Sequence, residues 1–204
     1  MFEMNNRTSS HSEDGGERQV LSIALTLNAI MFAVGLLAGI VAQSSGLIAD
    51  SLDMLADAMA YAIDLIAIGR SQKFKVSAGR FSGIILFVLG AGVLCDVARR
   101  IVVGSEPLGV VMMATATVSL VVNTAVLRML GRFRQGEVHL RTAWIFTRVD
   151  VIVNASVILS GFLVVVTKLA FLDLLIGAII GLYVCKEATE IFRESSKSKE
   201  QESG

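Results

Sequence analysis

Four aspartates, Asp50, Asp53, Asp57 and Asp64, stand in the otherwise apolar run IADSLDMLADAMAYAIDLIA at residues 48–67. A helix turns about 100° per residue, which puts Asp53, Asp57 and Asp64 within about 60° of Asp50 on one stripe. A charge at the centre of a bilayer costs at least about 2.5–3.5 kcal/mol, so such a stripe faces a bundle interior or a wet cavity. Carboxylates there can bind a cation, carry protons or pair with arginines. The apolar segments supply chiefly Arg148, with Arg99 and Arg100 near one end, too few cations for four aspartates. Like carboxylates one turn apart repel, so some take up protons unless a cation joins them. A cation or proton site is therefore the favoured reading over a purely structural network.

A cation site needs oxygens from more than one helix. The run TAWIFTRVDVIVNASVILSGFL supplies Asp150 and Asn154, four residues apart and hence neighbours on one helix face. Arg148 points nearly opposite to Asp150. A helix antiparallel to the aspartate helix would bring Asp150 to the depth of Asp53 and Asp57. The candidate metal ligands are thus Asp53, Asp57, Asp150 and Asn154, with Asp50 and Asp64 along the access paths or in a proton relay. For Asn154 an interhelical hydrogen bond is an equal alternative. Thr147 is expected to bond its own helix backbone. Asn28 and Asn123 read as interhelical glue, Asp96 and Arg99 as an ion pair three residues apart, and Asp173 as an acid at a helix start.

The elements that must hold these residues follow from composition. The 204-residue chain is 54% hydrophobic and 18% charged, with no net charge. That profile reads as an all-α integral membrane protein and gives no basic bulk for nucleic acid. Six segments reach the length of about 20 residues that a bilayer crossing needs: residues 20–42, 46–69, 81–103, 108–130, 143–166 and 169–192. Residues 1–19 and 193–204 read as short disordered cytoplasmic tails, the first without the pattern of a cleaved signal peptide. Lys and Arg gather in the links after the second and fourth segments and in the tails, including Arg70, Lys73, Lys75, Arg80, Arg128, Arg132, Arg134 and Arg141. The positive-inside rule places both termini in the cytoplasm. Cys95 and Cys185 lie in apolar segments without a CxxC pattern. His11 and His139 fall in the tail and at a cytoplasmic edge. No catalytic constellation or phosphate loop is present, so an enzyme is not expected.

The residues resemble the cation diffusion facilitators, also called the cation efflux family. GLIADSLDMLADAMAYAIDLIAIGRS is similar to that family's second transmembrane helix, whose (Asp/His/Asn)-x-x-x-Asp pair falls on Asp53 and Asp57. KFKVSAGRFSGIILFVLG resembles its basic loop and third helix, and FLDLLIGAIIGLYV its sixth helix. Asp150 matches the second member of the fifth-helix His/Asp-x-x-x-Asp pair. The likeness covers residues 20–192. It implies a six-helix bundle that exports a divalent metal (Zn, Co, Mn, Fe or Cd), with protons as counter-ion and no permanently bound cofactor. It also implies a homodimer in a bacterial inner membrane. Phe146 stands at the first position of the fifth-helix pair, and the family's C-terminal cytoplasmic domain and histidine-rich loop are not in the sequence. A short form of the family is therefore expected. Oxygen ligands without imidazole or thiolate suit Mn²⁺ or Fe²⁺, although oxygens bind zinc and cobalt too. The alternative reading is a non-transporting membrane protein of the same fold that binds metal or serves a partner.

Overall fold

A computed structural model describes the backbone of residues 2–67, 72–132 and 138–203; side chains are described for these except 2–15, 17, 67, 72–76, 78–79, 138–143, 145–146 and 194–203. Arg70 and Arg134, and the side chains of Lys73, Lys75, Arg141, His11, His139 and Phe146, therefore lie outside what is described.

Six helices and no strand make up the described chain: α1 (Phe2–Val41), α2 (Ser45–Ala67), α3 (Gln72–Val103), α4 (Gly109–Leu130), α5 (Val138–Thr167) and α6 (Phe171–Ser203). The apolar runs dictate them. Arg18–Val41, Arg80–Val103, Gly109–Leu130 and Thr147–Thr167 are each long and apolar enough to cross a bilayer. Helices α2 and α6 are long enough but carry charge, four aspartates in α2 and Asp173, Lys186, Glu187 and Glu190 in α6.

Packing shows how α2 tolerates its charges. Helices α1, α2, α4 and α5 form a ring in which α1 touches α2 and α4, and α5 touches α4 and α2. Helix α3 pairs most extensively with α6, and this pair lies against α2. Helix α2 thus has protein neighbours on four helices, so its polar stripe is never forced toward lipid. The outward faces of the other helices are apolar and uncovered: Val34, Leu37, Ile84, Val88, Val121, Ile152 and Phe162 are all exposed. Exposed apolar surface on this scale belongs in a bilayer, and the chain is a multi-pass membrane protein.

Apolar layers close both ends of the interior. One contains Ala42, Leu47, Leu52, Met112, Ala116 and Val157; the other contains Leu21, Ala24, Tyr61, Val126 and Leu130. Small residues bring the backbones together. A Cβ on Gly177 of α6 would lie 2.8 Å from the Ser45 carbonyl carbon at the start of α2. Gly177→Ala should cost about 1–3 kcal/mol by overpacking. Gly92 of α3 has nothing within 4 Å of that position. Gly92→Ala should therefore match or exceed the wild type, by up to about 1 kcal/mol. Thermal unfolding of both variants in detergent checks the pair, and equal midpoints would contradict the close approach.

Candidate metal site

The stripe on α2 points inward as its period requires. Asp50 and Asp53 are 3% and 5% exposed, and Asp57 is partly buried with Oδ2 wholly enclosed. Asp64, nearer the end of α2, is half-buried. From α5, Asp150 (6% exposed) and Asn154 (fully buried) meet them. The Asp150 carboxylate lies within hydrogen-bonding reach of both Asp53 and Asp57. Two carboxylates on one helix and one on the next therefore converge.

Asn154 joins the same cluster through Asp50. Its Nδ2 donates to Asp50 Oδ1 at 3.0 Å and to the Asp150 backbone carbonyl at 2.8 Å. Asp50 is thus a buried partner of Asn154. Among the described residues, Asp57 Oδ2, Asp150 Oδ2 and Asn154 Oδ1 are enclosed and meet no hydrogen-bond donor. These are the acceptor atoms a hard cation takes. The described residues hold no group of three or more His, Cys, Asp or Glu side chains already close enough to grip a metal together.

The cations are engaged elsewhere. Arg99 Nη2 binds Asp96 Oδ1 at 2.8 Å, as its spacing suggested, and Arg100 binds the other oxygen of Asp96. Arg100 also donates to the Gln43 carbonyl, where the backbone turns at φ 51°. The Arg148 guanidinium is exposed and lies over the Trp144 ring, 5.0 Å from its centroid. None of the three neutralises the cluster on α2 and α5.

Two parts of the neighbourhood escaped the sequence reading, and a third, Asp173, takes a role other than the expected one. Tyr61, one turn beyond Asp57, is 2% exposed, and its hydroxyl lies 3.1 Å from Thr147 Oγ1 on α5. That contact ties α2 to α5 just below the carboxylates. On α6, Tyr183 and Glu187 hydrogen-bond each other, and the Glu187 charge acts on Asp53 and Asp57. Asp173, fully buried, serves α2 rather than its own helix: it accepts from the Ser45 and Gly46 backbone N–H groups and the Ser44 hydroxyl. A residue period identifies which side chains share a face of one helix. It does not say which helix lies opposite.

The interhelical role expected of Asn28 and Asn123 is not seen. Asn28 Nδ2 bonds the Ala24 carbonyl of its own helix, and the Asn123 amide has no partner among the described residues.

Comparison with known proteins identifies the family. Residues 21–198 match the model of the cation efflux transmembrane domain. The metal cation efflux system protein CzcD of Cupriavidus metallidurans is 25% identical over 198 residues, covering 91% of this chain. The cation efflux system protein CzcD of an Alcaligenes strain gives the same figures. The chain spans 63% of the length of these relatives. With a buried carboxylate cluster between two helices of a six-helix membrane bundle, and a family model matched over most of its length, the chain belongs to the cation efflux family.

Proposed function

We propose that the chain is a secondary transporter that exports a divalent metal cation from the cytoplasm in exchange for protons, and is not an enzyme. One observation carries this reading. Asp53, Asp57 and Asp150 converge in the interior of a membrane bundle while every nearby described arginine is engaged elsewhere. A cluster of carboxylates without a resident cation asks for a mobile one. The relatives' printed names, metal cation efflux and cation efflux, point the same way.

In the mechanism, Asp53, Asp57 and Asp150 bind the metal, with Asn154 Oδ1 as a fourth oxygen. Metal and protons compete for the same oxygens, so release of one accompanies uptake of the other. The site opens alternately to each side as helices rock. Asp64 lines the approach from the end of α2 that carries the basic link. Both termini lie in the cytoplasm, and the membrane is a bacterial inner membrane. The transporter acts as a homodimer with no resident cofactor; the metal is substrate. The oxygen-only ligand set favours harder ions such as Mn²⁺ and Fe²⁺, with Zn²⁺, Co²⁺ and Cd²⁺ to be tested beside them.

The test is proton flux in sealed proteoliposomes with a pH-sensitive dye inside, on addition of each ion in turn. Saturable, ion-dependent flux is the expected result. Ion binding to folded protein without flux with any ion would overturn transport and leave a non-transporting metal-binding protein.

A further inference from the structure

Several buried polar side chains remain unexplained by the ligand set above, three of them on α1 and α4. Asn28 Oδ1, Ser119 Oγ and both polar atoms of the Asn123 amide have no hydrogen-bond partner among the described residues, and each residue is 1% exposed. A buried polar group without a partner costs about 1–3 kcal/mol. Within a bilayer no bulk water relieves that cost. A leucine at either asparagine would fill the space without it.

Their level in the bundle is informative. Ala24 of α1, Tyr61 of α2 and Val126 of α4 share one apolar layer, and Tyr61 ties that layer to Thr147 of α5. One helical turn from this layer, toward the other end of the bundle, each of the four ring helices presents a polar side chain. These are Asn28 on α1, Asp57 on α2, Asn123 on α4 and Asp150 on α5. Neighbouring ring helices alternate in direction, so a step forward on α1 and α5 and a step back on α2 and α4 reach the same depth. Ser119 lies one further turn along α4. Asn28 continues the buried stripe of Leu21 and Ala24, and Asn123 that of Val126 and Leu130, so both belong to the interior face. The layer holds two carboxylates and two amides, and each of the four side chains has a buried oxygen with no donor.

We propose that Asn28 and Asn123 contact the transported ion, their amide oxygens closing from α1 and α4 the cage that Asp57 and Asp150 open from α2 and α5. This rests on the reading of the carboxylate cluster as the transport site. Amide oxygens are hard, neutral ligands. They raise the coordination number without adding charge. A cage of this kind selects an ion that takes six oxygens, such as Mn²⁺, against Zn²⁺, which is satisfied by four ligands in a tetrahedron.

The test uses Asn28→Leu and Asn123→Leu, which keep the branched shape and remove the oxygen. Asn28→Ser and Asn123→Ser replace them if either leucine variant does not fold. Mn²⁺ and Zn²⁺ dependence of flux is measured in proteoliposomes, Mn²⁺ binding by electron paramagnetic resonance, and unfolding in metal-free detergent. The expected result is Mn²⁺ binding weakened about tenfold or more, with a smaller change for Zn²⁺ and unchanged or higher metal-free stability. Asn123→Asp, which restores an oxygen, should recover Mn²⁺ binding. Wild-type Mn²⁺ affinity and selectivity in the leucine or serine variants would overturn the proposal, as would lost stability with unaltered affinity. Those outcomes, with an active wild type, leave the transport reading standing. A wild type that moves no ion removes the transport reading itself, and this inference with it.

Discussion

Asp57→Ala is expected to abolish metal-driven proton flux while leaving the protein folded. Asp57 Oδ2 is enclosed and meets no donor, and its partner Asp150 comes from a different helix. Removing it takes away one of three carboxylates that hold a dication in a poorly solvated interior. Losing even an outer-shell partner of a metal typically weakens binding 10–100-fold, so losing a direct ligand should weaken it by at least about 100-fold. Stability should move the other way. Without metal, the remaining carboxylates repel less, so the variant should unfold at the wild-type temperature or above it. With metal at 100 times the wild-type dissociation constant, the wild type gains about 2.7 kcal/mol and the variant, bound about 100-fold more weakly, at most about 0.4 kcal/mol. The two measurements together separate a lost ligand from a damaged fold. Wild-type flux, or an undiminished metal-induced shift in unfolding, would remove Asp57 from the site.

The aspartate stripe was legible because it obeys the helical period and because no other feature of so apolar a segment explains it. Asp150 and Asn154 were legible for the same reason: a four-residue spacing puts them on one face, and antiparallel crossing puts that face at the right depth. Six helices and a multi-pass class followed from length and hydropathy. Relations between helices were not legible. Asp50 was placed along an access path from its position on the stripe, yet Asn154 draws it into the cluster at 3.0 Å. Glu187 sits in a helix end of mixed charge and looks like a solvated residue until α6 is seen lying against α2. Asn28 and Asn123 were read as interhelical glue, because an amide in an apolar helix normally finds a neighbour. Which neighbour, or none, depends on rotations about each helix axis that a single chain's pattern does not encode. Tyr61 carries no sequence signal apart from its place one turn beyond Asp57.

Asp173→Ala is expected to cost about 3–5 kcal/mol, because it leaves several buried donors without an acceptor at about 1–3 kcal/mol each. The first N–H groups of any helix lack intrahelical acceptors, and they carry the positive end of its dipole. At the start of α2 those groups are fully enclosed. Ser44 caps the helix by accepting from the Leu47 N–H at 3.0 Å. Asp173 then accepts from the Ser45 N–H at 2.8 Å, the Gly46 N–H at 3.1 Å and the Ser44 hydroxyl at 2.5 Å. Alanine leaves all three donors without an acceptor and buried. Asn keeps one acceptor oxygen, so Asp173→Asn should lose less, about 1–2 kcal/mol. Asp173 lies at the opposite end of α2 from Tyr61, so metal affinity per folded molecule should change far less than in Asp57→Ala. Chemical denaturation of both variants, with metal binding measured on the folded fraction, checks the assignment. An alanine variant within about 0.5 kcal/mol of wild type would show that the contact is not a structural clasp. A full loss of metal binding in folded Asp173→Asn would instead place Asp173 in the transport pathway. The clasp also explains why α2 can carry its aspartates at a fixed height. The start of the helix is pinned to α6 at Asp173, and its far half is tied to α5 at Tyr61. Between those two ties, the spacing of Asp53 and Asp57 against Asp150 is set by backbone rather than by the carboxylates themselves.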